Sequence, residues 1–120
     1  MSLVLPSLTL AACQNLYVSH YSGYVATIAL ETTSSGAYTL TQKQTLQTCG
    51  GDPRLPAWIT LDSASRTIYC TDENWTGNGS LTTISAPPGG NLKELATVIT
   101  PISGVHNTLY GNGRFVAVAH

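Results

Sequence analysis

The sequence predicts an all-β chain assembled from repeated four-stranded units. Two observations lead there. No segment holds a 3.6-residue apolar period for more than two turns, whereas short alternating or apolar runs bounded by Gly, Pro, Asn and Asp recur throughout the 120 residues. The second observation is internal repetition. Leu16-Tyr17-Val18-Ser19 lies over Ile68-Tyr69-Cys70-Thr71 and over Phe115-Val116-Ala117-Val118, and Trp58-Ile59-Thr60-Leu61 lies over His106-Asn107-Thr108-Leu109. A period of about 40–50 residues holding four short strands is the signature of propeller blades. The expected fold is therefore a partial β-propeller of about two four-stranded antiparallel blades.

Taken in order, the strand runs are 16–19, 25–30, 38–46, 57–61, 67–71, 80–85, 92–99, 107–110 and 115–119. Turn chemistry separates them: Asp62-Ser63-Ala64-Ser65-Arg66 and Gly111-Asn112-Gly113-Arg114 read as tight hairpin connections, and Asn78-Gly79 opens another strand. With strands lettered A to D from the ring axis outward, the chain reads B, C, D, then A, B, C, D, then A, B. The middle blade alone is whole, and the flanking blades are expected to leave open edges and apolar faces. Missing blades or self-association would have to cover them.

The chain divides into residues 1–14, an apolar N-terminal tail or truncated signal peptide, and residues 15–120, the incomplete propeller. Residues 1–12 lack a positive n-region and are too short to span a bilayer, so no membrane is expected as partner. Ala11 and Cys13 offer small residues before a cut at Gln14; an extra strand or tail is the other reading. Asn74-Trp75-Thr76 and Asn78-Gly79-Ser80 are glycosylation sequons, which makes Asn74 and Asn78 candidate glycan sites and favours a secreted over a cytoplasmic setting.

Charged residues make up 9% of the chain and the net charge is −1, so the basic footprint of a nucleic-acid binder is missing. Cys13, Cys49 and Cys70 form no Cys-x-x-Cys pair and have no His at ligand spacing, so no metal is expected. Folding back at residues 62–66 brings Cys49 and Cys70 to one end of the middle blade, where they form a disulfide or remain two buried thiols.

Several stretches together resemble a known family. Leu16-Tyr17-Val18-Ser19-His20-Tyr21-Ser22-Gly23, Pro56-Ala57-Trp58-Ile59-Thr60-Leu61 with Ile68-Tyr69-Cys70-Thr71-Asp72-Glu73, Asn78-Gly79-Ser80-Leu81 and the terminal Gly113-Arg114-Phe115-Val116-Ala117-Val118-Ala119-His120 are similar to the N-terminal third of seven-bladed lactonase propellers. That family includes propeller-type 6-phosphogluconolactonases and fungal 3-carboxymuconate lactonizing enzymes, and the likeness points to its secreted fungal branch. The resemblance implies a seven-bladed parent, its first blade completed by a C-terminal strand, that takes a small lactone or carboxylate ligand and works by acid–base chemistry without a cofactor. In the family the His and Arg residues proposed for that chemistry come mainly from later blades, so none is carried over.

In an up-and-down meander, B–C turns and D–A connections share one end of the ring. That end is expected to gather His20, Tyr21, Tyr24, Arg54, Asp72, Glu73, Trp75, His106 and His120. Lactone opening needs a group that polarises the carbonyl and a base that activates water, while muconate cyclisation needs a proton donor and carboxylate anchors. His106 at the start of an inner strand, Arg54 as a bidentate anion anchor, and His120 are the catalytic candidates. His20 and His120 sit at equivalent strand ends within one residue, which argues for a repeated structural role; Asp72 and Glu73 read as turn or hydrogen-bonding residues. Gly111-Asn112-Gly113 joins two strands with no helix behind it and is no dinucleotide fingerprint, and no Gly-x-Ser-x-Gly elbow is present. The expected function is an inactive piece of a lactonase or lactone-forming cycloisomerase; a secreted glycoprotein propeller acting as a binding module and a truncated gene model are the alternatives.

Overall fold

The computed structural model describes residues 12–101 and 103–120. Most of the expected tail, residues 1–11, lies outside them. Among the described residues are nine strands and no helix: β1 Ala12–His20, β2 Tyr24–Thr32, β3 Tyr38–Gln47, β4 Pro56–Asp62, β5 Thr67–Asp72, β6 Ser80–Ser85, β7 Lys93–Ile99, β8 His106–Tyr110 and β9 Phe115–Ala119. They form three antiparallel sheets in the orders β1-β2-β3, β4-β5-β6-β7 and β8-β9, here called blades I, II and III. The B, C, D; A, B, C, D; A, B lettering thus describes the molecule. β1 starts at Ala12 rather than at residue 16, because Ala12, Cys13 and Gln14 pair with Thr32, Glu31 and Leu30 of β2.

One detail of the repeat needs correction. The hairpin of blade II pairs Asp62 with Thr67, and that of blade III pairs Tyr110 with Phe115. Phe115 therefore corresponds to Thr67, and Ile68 corresponds to Val116 rather than to Phe115. Burial agrees: Phe115 is exposed, while Val116 and Val118 are half-buried on the face turned to blade II. A one-residue slip in a strand moves every side chain to the opposite face, so similarity of residue type alone misplaced the third repeat. With the register set, His20, Asp72 and His120 occupy one position in three successive blades.

The core lies between blades I and II. Val25, Cys49, Ile68, Cys70, Ile84, Ala86 and Leu92 are buried together, with Tyr17, Leu46 and Ile59 packed against them. Ser80, Thr82 and Ile84 of β6 are buried while Leu81, Thr83 and Ser85 between them are half-buried, the alternation of a strand sandwiched in a stack of sheets. A disulfide joins Cys49 to Cys70, with Cα atoms 5.7 Å apart, tying the blade I–II connection to strand β5. Polar side chains finish this seam. The Gln44 amide accepts from Leu92 N and donates to Leu92 O, Thr27 Oγ1 donates to Gly90 O at 2.8 Å, and Thr48 Oγ1 donates to Glu94.

Between blades II and III a single side chain dominates. Asn107 of β8 is buried, and its Nδ2 donates to Thr71 Oγ1 at 2.7 Å and Tyr69 O at 3.2 Å, while its carbonyl accepts from Thr60 Oγ1 at 3.1 Å. Both connections between blades also need a glycine at a close approach. A Cβ on Gly50, whose φ is +99°, would sit 2.3 Å from Asp72 Oδ2, and one on Gly104 would sit 2.4 Å from Val118 Cγ1 and 2.8 Å from Thr71 Cγ2.

Candidate active face

The face in question is the end of the sheets where β1 meets β2, β5 meets β6, and the connections 48–55 and 100–105 cross from blade to blade. Its scaffold is the repeated strand-end position. Asp72 is buried and accepts from Leu55 N at 3.0 Å, Asn74 N at 3.3 Å and Ser80 Oγ at 3.3 Å, so one carboxylate pins both the incoming connection and the outgoing turn. His20 does half of this job: its Nδ1 accepts from Ser22 N at 3.0 Å, again two residues on, and its ring stacks on Tyr24 with centroids 5.3 Å apart. His120 does the other half, its Nδ1 lying 2.6 Å from the carbonyl of Ser103 in the connection into blade III.

These contacts fix the imidazole protons. A backbone N–H can only donate, so His20 Nδ1 carries the lone pair and Nε2 carries the hydrogen in the neutral ring. A carbonyl can only accept, so His120 Nδ1 carries the hydrogen, and in the neutral ring Nε2 carries the lone pair. Two histidines at one repeated position thus present opposite chemistry to solvent.

Around this scaffold the structure sorts the remaining residues into two groups. Tyr21 and Glu73, which follow equivalent strand ends, meet across the first seam: Tyr21 Oη donates to Glu73 Oε2 at 2.8 Å, and the Trp75 ring stands edge-on to Tyr21 at 5.8 Å. The hydrogen bond to the Glu73 carboxylate, more than desolvation or charge, raises the Tyr21 phenol above its ordinary pKa of 10.0. Arg54 stands beside Gly23 at the rim of a shallow cleft of about 250 Å³ that also includes Tyr21, Ser22 and Asp52. Among the described residues its guanidinium has no acid partner, the one ion pair being Lys43–Glu31 at 3.9 Å. At the second seam, His106 packs against Trp58 with ring centroids 4.4 Å apart, and it pairs with Ala119, the residue before His120.

His106 and His120 therefore share one end of the β8–β9 pair, while Arg54 belongs with the β1–β2 turn. No described cleft contains all three. Asn74 and Asn78 lie on the β5–β6 loop of the same face; Asn74 Nδ2 donates to Asn78 O at 3.0 Å and Thr76 donates to Asn74 Oδ1, whereas the Asn78 side chain is exposed. Asp72 is the hydrogen-bonding turn residue expected, whereas Asn107 as an organiser went unrecognised in the sequence. The available signal was an Asn inside a strand, where that residue is depleted.

The family model described as lactonase, 7-bladed beta-propeller, matches residues 15–120. This chain belongs to that family. No curated protein and no solved structure matches it significantly. For a lactonase propeller the blade lettering acquires a meaning: β4 and β8 are inner strands, and the face just described is one mouth of the ring. No helix among the described residues is long and apolar enough to cross a membrane, and no group of three or more His, Cys, Asp or Glu residues among them could hold a metal ion.

Proposed function

We propose that this chain is a segment of a propeller that hydrolyses a sugar lactone or interconverts a lactone and a muconate by acid–base chemistry, and that the segment alone is inactive. The observation that carries the reading is the orientation of His120 within a family-matched blade: Nδ1 is committed to Ser103, so Nε2 is the atom that can take a proton from water. Water so activated attacks the lactone carbonyl, the ring C–O bond breaks, and the proton passes to the leaving alkoxide. His106, half-buried one strand away, supplies the second imidazole, and the unpaired Arg54 anchors a carboxylate or phosphate of the ligand. Inactivity of the segment follows from geometry. Preorganised catalysis needs its groups around one substrate position, and here Arg54 rims an open cleft that includes neither His106 nor His120, so water weakens every electrostatic contribution. In isolation the chain is also proposed to self-associate, through exposed Leu16, Val18, Tyr110 and Phe115.

The test is a lactone-hydrolysis and muconate-cyclisation assay on the 120-residue chain and on a seven-bladed protein containing it. The chain should show no turnover above background, and in the ring His120→Gln should lower kcat by about 10²–10⁴. Turnover by the chain that vanishes with His106→Ala would overturn the incompleteness argument. Unchanged turnover of the ring after His120→Gln, His106→Ala and Arg54→Gln would overturn the site. A second reading, a secreted glycoprotein that binds ligands on this face, has the exposed Asn78 sequon in its favour; glycan at Asn78 together with an inactive ring would establish it.

A further inference from the structure

A cleft of about 350 Å³ lies away from this face. It opens at the opposite end of the first seam, where the β4–β5 turn approaches the start of β1, and Cys13, Gln14, Asn15, Tyr17, Leu61 and Arg66 line it. Arg66 is held rigidly there. Its φ is +55°, its carbonyl accepts from Ala86 N at 2.8 Å, and its Nε donates to Ala86 O at 3.0 Å. One further donor, Nη2, reaches Tyr17 Oη at 3.5 Å, at the limit of a hydrogen bond.

A guanidinium has five N–H donors, and the fold uses two. Arg66 is half-buried, yet no carboxylate pairs with it. The acid of its own turn is committed elsewhere: Asp62 accepts from Ser65 Oγ at 2.7 Å and Ala64 N at 3.1 Å, and its Oδ2 faces Gly113 of blade III. A partly desolvated cation with no counter-ion and with donors directed into a polar cleft is a receptor for an anion. The Tyr17 hydroxyl stands on the cleft wall and supplies a neutral donor.

We propose that the Arg66 cleft binds a small oxyanion, a carboxylate or phosphate group, at a site separate from the candidate active face. The planar fork of Arg66, oriented by Ala86, takes two anion oxygens side by side, and Tyr17 turns its hydroxyl to a third contact. Volume limits the ligand to a small molecule such as a sugar acid or sugar phosphate. The inference does not depend on the lactonase reading, since it uses none of the same residues.

The single free cysteine among the described residues, Cys13, stands on the cleft wall and provides a local reporter. Inorganic phosphate and, separately, gluconate are titrated against the chain by equilibrium dialysis, while the rate at which Cys13 reduces a neutral pyridyl disulfide is followed at each concentration. Both probes should bind in the millimolar range or tighter and slow Cys13 in step with occupancy. Arg66→Gln should weaken binding by at least about tenfold, the order expected for one lost charge-assisted pair. Arg66→Lys, which keeps the charge and loses the fork, should fall between, and Arg114→Gln on an exposed turn should change nothing. Binding of phosphate alone or gluconate alone would identify which anion source the cleft accepts. No saturable binding of either, occupancy that leaves Cys13 unaffected, or equal losses in the Arg66 and Arg114 variants would overturn the proposal.

Discussion

The two seams of this molecule are built differently although the same strand repeat generates both. Blade I meets blade II through an apolar core of Val25, Ile68 and Ile84, closed by the Cys49–Cys70 disulfide, whereas blade II meets blade III through Asn107 and its bonds to Thr71, Tyr69 and Thr60. Apolar burial is non-directional and tolerates small displacements of one sheet over another. A buried amide does not. Its donors must each meet a partner at one distance and angle, so it fixes register more than it contributes net stability. The first seam is thus the source of cohesion and the second a source of alignment, which suits a chain whose inner strand β8 must hold His106 at a defined place.

The largest effect should come from the first seam. Ile68→Ala deletes a fully buried side chain between two sheets and should cost about 2–5 kcal/mol in denaturant unfolding, against under about 1 kcal/mol for Phe115→Ala, which is exposed on blade III. Comparable losses in the two variants would mean that burial in the first seam is not the source of cohesion. Next comes the disulfide. Cys49 and Cys70 are 21 residues apart in sequence, and replacing both by Ser should cost about 3 kcal/mol. The oxidised protein treated with reductant should show the same loss.

At the second seam, Asn107→Ala removes the donors that satisfy Thr71 Oγ1 and Tyr69 O in a buried setting, for about 1–3 kcal/mol. Its diagnostic readout is exchange: amides of β8 and β9 should lose hydrogen-exchange protection while those of β5 and β6 keep theirs. Asn107 Oδ1 has no partner among the described residues, so Asn107→Leu, which keeps the volume and removes the amide, isolates the Nδ2 bonds from the filling of space.

The smallest effect belongs to the exposed strut between the loops of the first seam. The Glu73 hydrogen bond raises the Tyr21 pKa in the folded state, so folding holds the phenolic proton more tightly than the unfolded chain does. The stability it contributes is present below the ordinary value of 10.0 and is lost as pH rises through the higher folded value. Ultraviolet titration should show one tyrosine ionising late, and Glu73→Gln should return it toward the ordinary value; a wild-type curve in that variant would remove the strut from the description of the face.

Much of the architecture was legible because strands and turns are local. Alternation and turn residues located all nine strands, since hydrophobic period and positive-φ chemistry such as Gly111-Asn112-Gly113 act within a few residues. The gathering of His20, Arg54, Glu73 and His106 at one end followed from counting reversals of chain direction. Matching residue types went wrong by one place at Phe115, because Leu, Ile and Phe look alike in a list and only hairpin pairing decides which face each takes. Asp72 was legible as a turn or hydrogen-bonding residue, but its burial and its partners Leu55 and Ser80 were not, because they lie on other segments of the chain.

By itself, then, the sequence determined the all-β class, the repeat, the strand order within each sheet and the family, all of which rest on short-range pattern or on similarity along the chain. Tertiary structure decided the rest. Which cysteines pair, which nitrogen of His20 and of His120 carries the proton, and whether Arg54 and Arg66 find acids are settled by atoms brought together from residues tens of positions apart. Such contacts depend on distance and angle to within a fraction of an ångström, and a linear pattern carries no record of either.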